Sequence, residues 1–572
     1  MNTLTVTGMY FVLISLFIVF LFIGTKVISV AGVSLKSQMS LVISSSYFIG
    51  MAIFMAFWRT LVLLTDNAKI SLAFTLVFSL AVICRMERQS NYELCRRCFL
   101  FLSSIQFLFL LSSVSIFVFL FWSRDSIGDV LNCAGSLHSG RYSNIAIYIN
   151  ENNNIPVLGQ NYGQSMLASI PMMFGLKNPF LALNMWLSLT LVNLALLVYS
   201  LCLKFGVTVK NAVPLTFLIL FGNTAFSFWH VLSIDAGSPF ILVGYTDTVA
   251  SIGTFVVILG YLNQVVDSSN DTLEINFKSF LVIFGASVFW NMSSPQNTII
   301  FFVLIVLLLS AKMVTPGTNK NTLSKILLLF SACSIIGVMG GGMFTPSVLK
   351  DQIKLPGMME IKDSGVKLYP GIPFHVGFGG FWQNGNLNVL SEGSAIRDAM
   401  ASQSLLQGSV YLSIVSIIEQ LITNSMKVMF WPLLGVVGLS LMISVCKRFG
   451  VCCGTDKSTK IYTRLLFVVL TTLAIGIIFN AFVAVSGYKW ELSRFLIIGY
   501  FFGILSLAVV LNFVVENCII PKSWFLLIIG IITIGPTLNS LLTIVMNIFY
   551  SRSGVSFIQK MSAVINSSDM AR

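Results

Sequence analysis

The chain has 572 residues, of which 56% are hydrophobic and only 10% are charged, and its formal net charge is +13. Soluble proteins contain about 25% charged residues, so this composition excludes an ordinary soluble protein and predicts an all-α integral membrane protein. The apolar blocks do not alternate with polar residues, which excludes a transmembrane β-barrel. The net positive charge indicates basic cytoplasmic loops and no nucleic-acid partner.

The ten cysteines predict neither a disulfide framework nor a structural metal site. Most of them fall in predicted spans or in predicted cytoplasmic loops. Cys95-Arg-Arg-Cys98 has the CxxC spacing, but no second pair follows it, so a zinc site is not predicted. No Walker motif, Rossmann fingerprint, HExxH motif or Ser-His-Asp signature occurs, so primary active transport and cytosolic nucleotide-sugar chemistry are not supported.

The apolar blocks predict about fourteen transmembrane helices, because most are long enough to cross a hydrocarbon core about 30 Å thick. The first block is too long for a signal-peptide core and lacks a basic start, so it is predicted as the first span. The eighth and ninth blocks, 277–290 and 297–311, are short, which indicates a broken or tilted pair of helices. The predicted spans are 9–33, 39–64, 70–85, 98–122, 178–203, 212–233, 248–265, 277–290, 297–311, 326–343, 427–446, 465–486, 495–515 and 524–549.

Basic side chains are concentrated in alternate connections between these spans, and such connections are retained on the cytoplasmic side. The N-terminus and the C-terminal tail are therefore predicted outside, and two long segments fall on the same outer side. Lys69, Lys489 and Arg494 are the exceptions to the charge pattern. The basic residues that follow it are Lys26, Lys36, Arg85, Arg88, Arg96, Arg97, Lys204, Lys210, Lys312, Lys320, Lys325, Lys447, Arg448, Lys457, Lys460, Arg464 and Lys522.

The predicted topology divides the chain into five regions. Residues 1–122 hold the N-terminal transmembrane helices, and 123–177 form the first large outer loop with an amphipathic helix. Residues 178–343 hold the central transmembrane helices, and 344–426 form the second large outer loop. Residues 427–572 hold the C-terminal transmembrane helices and the outer tail.

The first outer loop is polar and aromatic, and it is the main functional signal. Asp125 and Asp129 precede His138, Arg141 and Tyr142. Apolar residues then recur with helical spacing at Ile145, Ala146 and Ile149, which predicts an amphipathic helix at the membrane surface. Two interpretations stay open: a cap on the helix bundle, or a substrate-binding loop to which Gln160, Asn161 and Gln164 belong.

Three further outer segments offer candidate binding residues. Tyr245 and Asp247 open a span, where the carboxylate either caps the helix or faces a cavity. Lys489, Glu491 and Arg494 lie in a short outer loop and either bind phosphate or anchor the chain at the interface. In the second outer loop, His375 lies in a glycine- and aromatic-rich stretch suited to sugar contact or to membrane contact.

The segment Trp290-Asn-Met-Ser-Ser-Pro-Gln-Asn297 joins the two short spans. A proline with polar neighbours indicates a re-entrant turn that lines a wet cavity. The alternative is a tight hairpin between two helices.

Together these outer segments resemble those of polytopic GT-C-type glycosyltransferases. His138 to Pro171 is similar to the part of their first loop that follows its short helix. Gly244-Tyr-Thr-Asp247 resembles a "Y-x-D" element that opens a later span, and Trp490-Glu-Leu-Ser-Arg494-Phe resembles a late "R-F" element. The resemblance covers about a tenth of the chain and implies a GT-C-like bundle with two large outer loops.

The resemblance implies a catalytic Asp or Glu early in the first loop, and here the sequence departs from the pattern. Asp125 and Asp129 lie further upstream than expected, and Asn132, Cys133 and His138 stand nearer the helix. Asp129 is then the base, or His138 replaces it, or catalysis has been lost. Four predicted spans also precede this loop, whereas many members have one.

The leading hypothesis is a membrane glycosyltransferase that transfers a sugar from a polyprenyl-phosphate carrier to a glycan, lipid or protein acceptor on the outer or lumenal face. A bacterial inner membrane is expected, with membrane lipid as a further partner. No cofactor is certain, and a divalent cation (Mg or Mn) is one candidate. The alternatives are an O-antigen-type polysaccharide polymerase or ligase, a transporter or flippase of lipid-linked saccharide, and a non-catalytic scaffold.

Overall fold

The computed structural model describes the chain in separate stretches, most of them helical. The described residues are 3–30, 38–84, 96, 100–101, 104, 107–108, 137–155, 162–175, 179–221, 246–267, 277–293, 295–314, 320–340, 374–376, 430–446, 448, 456–485, 493–517, 519–531 and 533.

The helices follow the apolar blocks of the sequence. In chain order they are α1 (Thr3–Val30), α2 (Met39–Thr65), α3 (Ala68–Cys84), α4 (Leu137–Asn152), α5 (Gly163–Met173), α6 (Pro179–Lys204), α7 (Val209–Phe221), α8 (Thr246–Asp267), α9 (Phe277–Ser293), α10 (Pro295–Val314), α11 (Lys320–Gly340), α12 (Phe430–Cys446), α13 (Asp456–Phe482), α14 (Ser493–Glu516) and α15 (Lys522–Ile531). Two short strands, β1 (Phe374–Val376) and β2 (Val483–Val485), pair antiparallel.

Within the described part of the chain, 4 helices are long and apolar enough to cross a membrane: α1, α2, α6 and α14. Exposed apolar side chains such as Phe11, Phe74 and Leu328 fit contact with lipid tails, since such a surface is unfavourable in water. The structure therefore supports a helical chain with several membrane-crossing helices. The larger number of about fourteen spans stays a prediction.

Two boundaries differ from those predicted. The span predicted over 465–486 ends as helix α13 at Phe482, because Val483, Ala484 and Val485 pair with β1. At 290–297, α9 continues to Ser293 and α10 begins at Pro295. Proline suits the first position of a helix because its missing N–H has no intrahelical partner there. Whether the two helices form a re-entrant turn or a tight hairpin stays a prediction.

Helices α1 and α2 pack backbone to backbone through two glycines. A Cβ atom added at Gly24 would come within 1.9 Å of the Ser46 carbonyl oxygen, and one added at Gly50 within 1.9 Å of the Phe20 carbonyl oxygen. Thr25 Oγ1 donates to Ser46 Oγ over 3.0 Å at the same crossing. Small residues permit such close packing, which helices in a bilayer use in place of a hydrophobic driving force.

Helices α2 and α6 run antiparallel, as two pairs of hydroxyl groups show. Tyr47 Oη and Thr190 Oγ1 lie 3.0 Å apart, and Ser200 Oγ donates to Ser40 Oγ over 2.6 Å. The C-terminus of α6 therefore lies beside the N-terminus of α2. This pairing defines the two ends of the bundle.

One end, the Glu516 end, contains Ser40, Lys204 and the junction of α7 with α14, where Thr208 Oγ1 donates to Glu516 over 3.0 Å. The other, the Asp66 end, contains the turn between α2 and α3. Lys204, Lys210 and Lys522, which the charge pattern assigned to one side, all lie at the Glu516 end. The compartment that each end faces stays a prediction.

Candidate functional site

Helix α4 lies in the segment predicted as the first outer loop and packs against the bundle. Its side chains Ile145, Ala146 and Ile149 are buried, whereas Tyr148 is 43% exposed and Glu151 is exposed. The helix packs on α5 and α6. The predicted helix is thus present, and its apolar face is covered by protein. Its position at the membrane surface stays a prediction.

The end of α4 is held at the α2–α3 turn by polar contacts. Asn154 Nδ2 donates to Asp66 Oδ1 over 2.7 Å, and the Ala68 N–H donates to the Asn153 carbonyl oxygen. Asp66 and Asn153 both have positive φ, 52° and 54°, a conformation that Asp and Asn tolerate better than most residues. These bonds join the end of α4 to the Asp66 end of the bundle.

Helix α5 follows and is buried along nearly its whole length, from Gly163 to Met172. The Tyr162 N–H donates to the Met292 carbonyl oxygen over 3.0 Å, and Trp186 Nε1 donates to the Leu167 carbonyl oxygen over 2.8 Å. The helix is therefore fixed to α9 at its start and to α6 further along.

Arg59, in the apolar helix α2, is the most unusual side chain at this junction. It is only 1% exposed. Its Nε donates to Tyr162 Oη over 2.9 Å, and its Cζ lies 5.7 Å from the centroid of the Tyr162 ring. Its Nη2 has no hydrogen-bond partner among the described residues. A buried charge in a membrane helix is costly and marks a functional position by default.

Gln164 and Trp290 add two more buried donors. Gln164 is 2% exposed and Trp290 is 1% exposed, and within the described chain neither Gln164 Nε2 nor Trp290 Nε1 has a partner. By contrast, the indole N–H groups of Trp58 and Trp186 both donate to backbone carbonyls. Buried indole N–H groups usually find a partner, so Trp290 departs from the pattern of its neighbours.

We call Arg59, Tyr162, Gln164 and Trp290 the donor cluster, because they are buried polar side chains on three elements that contact one another, α2, the start of α5 and α9. Arg59 and Tyr162 are joined by their side chains, and the Tyr162 backbone bonds to Met292 of α9. Arginine, amide and indole N–H groups are matched by oxygen acceptors. Each of these donors is therefore suited to a phosphate, a carboxylate or a sugar hydroxyl.

Polar side chains of α8, α9 and α10 continue this end of the bundle. Ser251 Oγ and Ser293 Oγ lie 2.9 Å apart, and Asn297 is buried at the start of α10. Asp247 lies one turn before Ser251 in α8, which begins at Thr246. Asp247 therefore lies in the first described turn of α8, and its role, as a helix cap or as a residue facing a cavity, stays a prediction.

For some of the predicted site residues, the structure describes the helix or strand that contains the residue but not its side chain. His138, Arg141 and Tyr142 lie in α4, Asp247 in α8, His375 in β1 opposite Ala484, and Arg494 in α14. Their side chains lie outside the described residues. Asp125, Asp129, Gln160, Asn161, Tyr245, Lys489 and Glu491 lie outside the described residues entirely.

Among the predicted site residues, Gln164 is the one whose side chain is described, and it belongs to the donor cluster. Arg59 and Trp290 were not predicted as site residues. A lone arginine inside the apolar block 39–64 was the signal that could have found Arg59. Within the described ranges, no group of three His, Cys, Asp or Glu side chains is arranged to hold a metal ion.

Comparison of the chain with protein-family models, with curated proteins and with solved structures found no match.

Proposed function

We propose that this protein is an integral-membrane glycosyltransferase that transfers a sugar from a polyprenyl-phosphate carrier to an acceptor at the Asp66 end. The observation that carries the proposal is the buried Arg59, whose Nη2 has no partner among the described residues. Guanidinium groups pair with phosphate oxygens through two parallel N–H bonds. A lipid-borne phosphate sugar would supply both the anion and the hydroxyl oxygens that the donor cluster lacks.

The proposed reaction is a displacement at the anomeric carbon of the carrier-linked sugar. The acceptor hydroxyl oxygen forms a bond to this carbon while the bond from the carbon to the phosphate oxygen breaks. The proton of the hydroxyl passes to Asp129 or His138 as general base. Polyprenyl phosphate leaves, held by Lys489 and Arg494.

Two of the helices that carry residues of this proposal are fixed in the bundle by polar contacts. Helix α4, which begins near His138, is held at its other end to Asp66, and α8, with Asp247, is bonded to α9 through Ser251 and Ser293. Strand pairing places His375 opposite Ala484, close in the chain to the loop with Lys489. In the proposal Asp247 orients the sugar or a divalent cation.

The experiment is sugar transfer by the purified protein in lipid nanodiscs. A panel of polyprenyl-phosphate sugars with labelled sugar is supplied with membrane extract as acceptor, and the size of the labelled product is measured. Arg59→Gln is expected to abolish transfer, and Lys69→Gln, which removes an exposed charge at the same end, is expected to retain it. If the wild-type protein transfers sugar from none of the donors in the panel, the proposal is refuted.

A second candidate function is transport of a lipid-linked saccharide, and Arg59 favours it as well. Ionisable residues buried in membrane helices commonly mark substrate paths. The two functions differ in their product. A transporter moves a fluorescent lipid-linked saccharide between the leaflets of a proteoliposome and leaves the mass of the saccharide lipid unchanged. A transferase leaves the carrier lipid in its leaflet and removes the sugar from it.

A further inference from the structure

A second polar site lies at the Glu516 end, away from the donor cluster. A cavity of about 670 Å³ opens between the start of α7, the end of α14 and the start of α15. Two lysines and one carboxylate line it together with apolar side chains: Lys210, Lys522, Glu516, Val209, Val515 and Ile520. We call it the Glu516 groove.

The carboxylate of Glu516 is already engaged by α7. Its Oε1 accepts hydrogen bonds from Thr208 Oγ1 and Asn211 Nδ2, each over 3.0 Å. Asn512, one turn earlier in α14, accepts from the Thr208 N–H and from Asn211 Nδ2. This network holds Glu516 at the α7 side of the groove.

The two lysines are left without an ion pair within the described part of the chain. Both are exposed, and both stand in the first turn of a helix, Lys210 in α7 and Lys522 in α15. The N-terminal end of a helix is positive, so a cation there is unfavourable and an anion is favourable. An anionic ligand between the two lysines would offset the unfavourable interaction of each lysine with the positive end of its helix.

Exposed apolar side chains in and beside the groove indicate the source of that anion. Val209, which lines the groove, is 49% exposed, and Ile519 and Trp524, which are close in the chain to its lining residues, are 65% and 59% exposed. Tryptophan is enriched at the level of lipid headgroups, and basic pockets between membrane helices bind anionic lipid headgroups. An anion with acyl chains matches this surface better than a small soluble anion does.

We propose that the Glu516 groove binds an anionic phospholipid, with its phosphate between Lys210 and Lys522 and its acyl chains along Val209, Val515 and Ile520. The site is independent of the sugar-transfer proposal and lies at the opposite end of the bundle. Its ligand would stabilise the junction of α7, α14 and α15, since a molecule that binds the folded state alone shifts the folding equilibrium toward that state.

The test is lipid binding to the full-length protein in a neutral detergent, measured by native mass spectrometry. Phosphatidylglycerol is titrated against phosphatidylcholine with the same acyl chains. We expect preferential binding of phosphatidylglycerol, which raised salt weakens by screening. Each lysine near an anionic lipid contributes about fivefold, so Lys210→Gln with Lys522→Gln is expected to weaken binding at least tenfold. Equal affinity of the double variant and the wild type overturns the proposal.

Two further variants separate lipid binding from damage to the fold. Glu516→Gln removes the negative charge but keeps an oxygen acceptor for Thr208 and Asn211, so it is expected to strengthen phosphatidylglycerol binding severalfold. Lys69→Gln, at the other end, is expected to leave it unchanged. Glycerol phosphate is added as competitor: displacement of the lipid at millimolar concentration would show that the groove selects a soluble anion, and would also overturn the proposal.

Discussion

Arg59 and Tyr162 lie 103 positions apart in the chain and meet in the interior of the bundle, where Arg59 Nε donates to Tyr162 Oη over 2.9 Å. One donor of the guanidinium is thereby satisfied by protein, whereas Nη2 has no partner among the described residues. The bond also connects helix α2 to the residue that precedes α5. The same pair therefore contributes to stability and, in the proposed function, to ligand binding.

Tyr162→Phe tests the stabilising part of this pair. The ring stays in place, but the phenolic oxygen that accepts from Arg59 is lost. A hydrogen bond to a charged group contributes about 1.5–3 kcal/mol, so the variant is expected to unfold at a lower temperature in detergent.

Tyr148→Phe is its control, because Tyr148 is 43% exposed and the substitution is expected to leave the unfolding temperature unchanged. In a double-mutant cycle, Arg59→Met should cost less in the Tyr162→Phe background than in the wild type. Strictly additive effects would show that the two side chains are not coupled.

Trp290→Phe separates binding from stability. Because Trp290 Nε1 has no partner among the described residues, its loss breaks no internal hydrogen bond. Trp186→Phe, in contrast, leaves the Leu167 carbonyl oxygen without its 2.8 Å donor, at a cost of about 1–3 kcal/mol. We expect thermal unfolding to shift more for Trp186→Phe, and ligand binding or transfer to fall more for Trp290→Phe. The opposite ranking would remove Trp290 from the donor cluster.

Gly24→Ala and Gly50→Ala test the close crossing of α1 and α2. Each new methyl group would lie 1.9 Å from a backbone oxygen of the other helix, so the helices must separate. Overpacking of this kind costs about 1–3 kcal/mol, and both variants are expected to lower the unfolding temperature.

Gly260→Ala supplies a matched control, since a Cβ atom there meets nothing within 4 Å. Alanine is the better helix former by about 1 kcal/mol, so this variant is expected to be at least as stable as the wild type. If all three alanine variants behave alike, the two helices do not touch through Gly24 and Gly50.

Asn512→Ala tests the network at the Glu516 end. Asn512 is 7% exposed and accepts hydrogen bonds from the Thr208 N–H and Asn211 Nδ2. Buried donors left without a partner cost about 1–3 kcal/mol, so a clear fall in the unfolding temperature is expected. Asn517→Ala is the comparison, because Asn517 is exposed and its amide donates to the Phe513 carbonyl oxygen of its own helix. Equal shifts for the two variants would contradict a structural role for Asn512.

The helices and the amphipathic face of α4 were predictable because they depend on local patterns. Apolar blocks determine α1, α2, α6 and α14, and the spacing of Ile145, Ala146 and Ile149 places these residues on one buried face. The junction between α9 and α10 was less predictable, since Pro295 can either break a membrane helix or start one. Neighbouring residues alone do not decide between the two.

Contacts between distant parts of the chain could not be predicted from one sequence. Nothing near Arg59 indicates that its partner is Tyr162, and the strand pairing of Phe374–Val376 with Val483–Val485 is equally remote. Among the predicted site residues, Gln164 was recognised as a polar loop residue, whereas the structure gives it a buried position in α5. The catalytic roles of Asp129, His138, Asp247 and Arg494 stay predictions.

The burial of α5 has a consequence for how the chain is made. The residue before it, Tyr162, donates its N–H to the Met292 carbonyl oxygen, and at ordinary synthesis rates Met292 is added roughly 7–26 seconds after Tyr162. During that interval α5 can already pack on its chain neighbours α4 and α6, which make most of its contacts. The bond to α9 therefore closes late, on a helix pair that has formed earlier.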